Sequence, residues 1–102
     1  MTNIIPERLA VFEQILNEQK GVNSLSQRQR FKAALTILGS VLTFELSRFL
    51  DIYYPPARKF ELVHNENWDI ALTWERVETE SGEVHRIGRY TLKGLPNKEG
   101  NK

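Results

Sequence analysis

Residues 55–74 read PPARKFELVHNENWDIALTW, and their apolar period changes in the middle. Pro55-Pro56 suits the first turn of a helix, where a missing N–H costs nothing. The spacing predicts a helix from there to about Asn65. On a helical wheel Pro56, Phe60 and Val63 share one face. Arg58, Leu62 and Asn65 lie roughly opposite, with Glu61 at the margin. The first face is the expected core face, so Phe60→Ala is expected to cost about 3–5 kcal/mol. Asn65-Glu66-Asn67 is a turn signal. Beyond it Trp68, Ile70, Leu72 and Trp74 alternate with Asp69, Ala71, Thr73 and Glu75, the period of a half-buried strand. Trp68 and Trp74 are expected in the core with Ile70 and Leu72. A base-stacking platform would need them exposed beside basic residues.

Working outward, Glu78–Glu83 is polar and holds Ser81-Gly82, a hairpin tip. Val84–Leu92 is the returning strand. Upstream, Thr43–Leu50 reads as a short helix with Thr43 as its cap and Leu46, Phe49 and Leu50 as its buried set. Ser26–Leu38 is a longer helix, with Phe31, Ala34, Leu35 and Leu38 inward and Gly39-Ser40 as its breaker. Pro6–Gln19 is a further helix with Leu9, Phe12, Ile15 and Leu16 as its apolar stripe, ended by Gly21. The expected core of the central region is Phe31, Leu35, Leu46, Phe49, Phe60, Val63, Ile70 and Leu72. The chain therefore divides into an N-terminal helix over 1–22, a compact domain over 23–95 and a flexible polar tail over 96–102.

With 102 residues, the chain fits one domain with a single core and little room for a deep substrate cavity. There is no cysteine, so disulfides and thiolate metal sites are excluded. The opening residues have neither a basic n-region nor an apolar h-region, and charged or polar residues break every apolar stretch. A cytoplasmic protein without a membrane span is expected. The formal net charge is only +1, and it is unevenly spread. Lys20, Arg28, Arg30 and Lys32 follow one another with no acid between them. Glu75, Arg76, Glu78, Glu80 and Glu83 make the hairpin tip net negative.

Helix, short helix, turn, helix and hairpin is the order of a helix-turn-helix followed by a wing. In that order stand Gly39-Ser40-Val41-Leu42-Thr43, then Trp68-Asp69-Ile70-Ala71-Leu72-Thr73-Trp74, then Arg89-Tyr90-Thr91-Leu92. On these elements residues 27–92 resemble phage and bacterial winged helix-turn-helix domains. The resemblance implies an α+β fold of three helices plus a two-stranded wing, here with an extra N-terminal helix. It implies a DNA-binding transcriptional regulator of phage or prophage type. The sequence departs from the family pattern where the recognition helix opens, with Tyr54-Pro55 in place of a Ser-Arg pair. Asn67 stands where a glycine usually precedes the first strand.

Under that reading, Arg58, Lys59 and Asn65 on the recognition helix are the expected contacts to phosphates and base edges. Arg28, Arg30 and Lys32 are expected to grip the backbone of double-stranded DNA beside the groove. The acidic tip stands against this, because a wing lying on phosphates usually carries Lys or Arg. Glu78, Glu80 and Glu83, with Leu62, form the surface of the alternative, a winged-helix scaffold that binds another protein as an inhibitor or adaptor. Arg76, Arg86 and Arg89 are expected to pair with the acids across the strands. Leu9, Phe12 and Leu16 are the expected contacts of a homodimer built through the N-terminal helix. His64 and His85 lack a further histidine or cysteine at ligand spacing, so no metal is expected. There is no glycine-rich phosphate loop, nucleophile elbow or zinc-protease motif, so neither an enzyme nor a cofactor is expected.

Overall fold

The structure is a computed structural model that describes residues 6–96. The helices are α1 (Pro6–Glu18), α2 (Ser24–Leu38), α3 (Thr43–Phe49) and α4 (Pro55–Glu66). The strands are β1 (Ser40–Leu42), β2 (Asp69–Glu78) and β3 (Val84–Gly94). The polar tail lies outside the described residues from Asn97 onward. None of the described helices is long and apolar enough to cross a membrane.

Each boundary has a local cause. Asn23 caps α2 by accepting a hydrogen bond from the Ser26 N–H at 2.8 Å. Gly39, at a φ of 84°, turns the chain out of α2. The next three residues then pair antiparallel with β3, Val41 opposite Tyr90, which makes the sheet three-stranded in the order β1-β3-β2. This β1 strand is absent from the sequence-based expectation of a two-stranded wing. Asn67 ends α4 at a φ of 62°, a left-handed position that asparagine tolerates better than most residues. The next residue, Trp68, donates its N–H back to the Leu62 carbonyl at 2.9 Å. Asparagine therefore does the work expected of the missing glycine.

The core contains Phe12, Ile15, Phe31, Ala34, Leu35, Val41, Leu46, Leu50, Ile52, Leu62, Ile70 and Tyr90. It is shared by every helix and by the base of the sheet. The expected core holds at Phe31, Leu35, Leu46 and Ile70, and Phe49 and Val63 pack against it half-buried. It fails at Phe60, which is 59% exposed, and at Leu72, which is 37% exposed. Leu62, placed on the outer face by the wheel, is fully buried. The physical reason is the seam between α2 and α4. Glu61 and Glu66 turn towards Arg28 and Lys32 of α2, and this rotates Leu62 inward beneath the ion pairs.

The first helix packs into the same core. Phe12 is fully buried and stacks on Phe49, with ring centroids 5.6 Å apart. Arg8 donates to both Glu45 carboxylate oxygens, at 2.8 and 2.7 Å, and to the Ser40 carbonyl at 2.8 Å. Glu45 in turn accepts from the Leu42 N–H at 2.9 Å, so one carboxylate ties α1 to the start of α3. Of the three expected dimer contacts, Phe12 is thus committed to its own domain. Leu9 is half-buried and Leu16 is 37% exposed.

Candidate functional site

The basic residues singled out in the sequence are mostly engaged inside the domain. Arg28 binds Glu66 at 3.0 Å and Glu61 at 3.2 Å, and Lys32 binds Glu66 at 2.8 Å. The Lys32 hydrogen bond is the main cause that holds the Glu66 carboxyl below its ordinary value, with Arg28 adding to it. Arg58 turns back onto Glu61 at 3.0 Å. Arg30 is interior: its guanidinium donates to the carbonyls of Gln19, Gly21, Leu50 and Asp51. Apart from interior Arg30, Lys59 and Asn65 are the two expected contacts to DNA without an acidic partner among the described residues. Lys59 is half-buried and Asn65 is exposed.

The residues of the alternative surface are also redistributed. Leu62 is core and cannot touch a partner. Glu78 and Glu83 are exposed, and Glu80 reaches Arg48 of α3 at 3.4 Å. That contact leans the hairpin tip towards α3. Glu80 and Glu83 therefore lie off the groove side of the hairpin, whereas Glu78, two residues beyond Arg76, shares the face of Leu72 and Trp74.

In that groove the structure gathers side chains from α4 and the sheet. Pro56, Lys59, Phe60, Val63 and His64 of α4 line it on one side, with Leu72 and Tyr90 of the sheet on the other. The Phe60 and His64 rings touch, with centroids 4.2 Å apart. The face of the sheet that carries Leu72 continues along the hairpin beyond the reach of the helices. Trp74 stands there 54% exposed, which corrects its expected place in the core. It lies opposite Gly88, where an added Cβ would come within 3.0 Å of the Leu72 side chain. The Arg86 guanidinium sits over the Trp74 ring, 5.4 Å from its centroid.

One cross-strand pair further out, Arg76 and Arg86 are directly opposed. Both are exposed, and among the described residues neither has an acidic partner. Of the three arginines expected to pair with acids, only Arg89 does so, binding Glu75 on the opposite face of the hairpin. Its hydrogen bond lowers the Glu75 carboxyl and raises the Arg89 guanidinium. The two faces are thus distinct: on one Glu75 and Arg89 pair, while the other carries Trp74 and the two arginines, with Glu78 beyond them towards the tip.

Like charges directly opposed on a hairpin destabilise it. Two arginines beside an exposed tryptophan form a site that an anion bound to a flat apolar group would complete. Phosphate and nucleobase are such a pair. Lys59 supplies a further cation across the groove. Among the described residues no group of histidines and carboxylates is placed to hold a metal. The sequence missed Phe60, His64, Trp74, Arg76 and Arg86 as site residues. A two-residue tip at Ser81-Gly82 would set Arg76 opposite Ile87; the turn is instead centred on Ser81, with the Thr79 N–H donating to the Glu83 carbonyl, and this register brings Arg76 opposite Arg86.

A family model described as a winged helix-turn-helix domain matches residues 26–94. The match runs from the start of α2 to the end of β3 and leaves α1 outside. No curated protein and no solved structure matches the chain.

Proposed function

The chain belongs to the winged helix-turn-helix domain family, and on that premise we propose that it is a small DNA-binding protein, a transcriptional regulator of the phage or prophage type acting in the cytoplasm. It is a binding protein, not an enzyme. In this reading α4 is the recognition helix and enters the major groove with Pro56, Phe60 and His64 outermost. The hairpin is the wing, and Arg76 and Arg86 lie against backbone phosphates. The observation that carries the reading is the directly opposed Arg76–Arg86 pair beside exposed Trp74. Its electrostatic cost in the free protein is relieved when a phosphate sits between the guanidiniums. Glu80 leans towards Arg48 and away from this face, and Glu78 is the one acid of the tip that shares it. A homodimer through α1 would rest on Leu16 and half-buried Leu9, because Phe12 is occupied.

Fluorescence anisotropy with labelled genomic duplex fragments at low salt tests the reading. The intact protein is expected to bind, and the double variant Arg76→Ala, Arg86→Ala to lose most of that affinity. Arg28→Ala is expected to bind as the parent does. Absence of binding, or binding untouched by the double variant, would remove the proposal. A second reading, the protein-binding scaffold, draws on one observation: Phe60, Leu72 and Trp74 form a continuous exposed apolar surface. It becomes the better account if duplex DNA is not bound.

A further inference from the structure

The outward face of α4 is unusual for a helix that lies in a major groove. By helical spacing its outermost residues are Pro56, Ala57, Phe60, Glu61 and His64. Glu61 is drawn to one flank, where it holds Arg58 and Arg28. What remains at the centre is Pro56, Ala57, Phe60 and His64. Phe60 is 59% exposed, and its ring is steadied against His64.

At its centre this face offers no arginine or lysine to guanine, and its one polar side chain there is His64, whose ring lies against Phe60. The commonest specific contact to DNA is a bidentate arginine or lysine on the guanine O6 and N7. The one arginine of α4 is folded back onto Glu61, and only 17% of its side chain is exposed. Lys59 is half-buried and lies on the core side of Phe60 by helical spacing, away from the outermost residues. Asn65, the α4 side chain that would pair bidentately with adenine, stands on the Glu61 flank and not beside Phe60. The helix start offers no polar replacement, because Pro55 and Pro56 remove two of its free N–H donors.

An apolar recognition face has one complementary feature in the major groove, the C5-methyl group of thymine. Aromatic and small apolar side chains contact that methyl and gain from excluding water around it. We propose that α4 reads thymine methyls, with Phe60 as the principal contact flanked by Pro56 and Ala57, so that the protein prefers A·T-rich duplex. The inference rests on the DNA-binding reading above, with α4 as the recognition helix. It accounts for a large exposed phenylalanine on the helix that otherwise carries the domain's paired charges.

The experiment removes the methyl and nothing else. An A·T-rich duplex is compared with the same duplex in which every thymine is replaced by uracil. The intact protein is expected to lose about fourfold in affinity for each methyl it contacts. A G·C-rich duplex carrying 5-methylcytosine in place of cytosine is expected to bind more tightly than its unmethylated form, because the methyl returns at the same edge of the groove. Phe60→Ala is expected to lose most of the difference between thymine and uracil duplexes, with an unchanged thermal midpoint since the side chain is exposed. Equal binding of thymine and uracil duplexes by the intact protein would overturn the inference and leave the DNA-binding reading standing. Failure to bind any of these duplexes would overturn both.

Discussion

Arg30 donates to four main-chain carbonyls at the ends of α1 and α3. Gln19 and Leu50 directly follow the last residues of α1 and α3, and Gly21 and Asp51 lie in the turns just beyond, where backbone acceptors lack intrahelical partners. One guanidinium therefore closes both helix ends and fixes the turn that leads into α4. Burial lowers its pKa from the ordinary value, and the nearby Asp51 carboxylate offsets part of that. Arg30→Met leaves these acceptors unpaired and is expected to cost about 3 kcal/mol or more in a urea titration. A cost near zero would show that water replaces the guanidinium freely. Arg86 is in the opposite circumstance, exposed and facing another arginine. Arg86→Glu creates a cross-strand pair with Arg76 and is expected to stabilise the hairpin by up to about 1 kcal/mol, while abolishing affinity for DNA. If the variant loses both stability and binding, the arginine pair is structural and the site assignment fails. In the sequence these arginines look alike, together with Arg28 and Arg58. What separates them is the carboxylate or carbonyl that lies beside each in space. Glu66, for example, is 38 residues from Arg28, and no local pattern reports it.

The element most misjudged from its sequence is α4, and the error is one of rotation. An apolar wheel ranks Phe60 above Leu62, because it is larger and sits in phase with Pro56 and Val63. The helix is instead oriented by the ion pairs at the α2 seam, which act on Glu61 and Glu66. Leu62→Ala is accordingly expected to cost about 2–5 kcal/mol. Phe60→Ala is expected to stay within about 0.5 kcal/mol of the parent. Paired denaturation curves check both, and the reverse order would restore the wheel's assignment. The strands were better marked. Strict alternation from Trp68 to Trp74 identifies β2, and the Ser81-Gly82 tip fixes its partner. Alternation says which side chains share a face, not how far along the strand the helices cover it. Cover ends between Ile70, at 6% exposure, and Trp74, at 54%, and the uncovered part is the site. β1 has three residues and no period of its own; it exists because β3 offers an edge to pair with.

At the scale of the whole molecule, the near-zero net charge hides a division of labour. On the α2–α4 seam Glu61 and Glu66 are matched by Arg28, Lys32 and Arg58, and at the hairpin tip Glu80 meets Arg48. Pairing removes those charges from the long-range field and leaves Lys59 beside the groove and Arg76 and Arg86 further along the same face of the sheet. The first helix completes the body that holds this arrangement. Although the family match begins at residue 26, α1 supplies Phe12 and Ile15 to the core. The number of cations that neutralise phosphates can be counted without a structure of the complex. Each neutralised phosphate releases condensed counterions, so the logarithm of affinity falls with the logarithm of salt at a slope of about −0.9 per contact. Contacts from Lys59, Arg76 and Arg86 alone predict a slope of about −3. Had Arg28, Arg30, Lys32 and Arg58 been available as well, the slope would be about twice as steep. Arg76→Ala is expected to flatten it by about 1, uniformly across duplex sequences, because a phosphate contact carries no base information. Arg58→Ala is expected to leave it unchanged, since that guanidinium is already bound to Glu61 within its own helix. Affinities measured at several salt concentrations for the parent and these two variants decide the matter. A slope that responds to Arg58 and not to Arg76 would place the DNA on the seam of α2 and α4, away from the groove that holds Trp74.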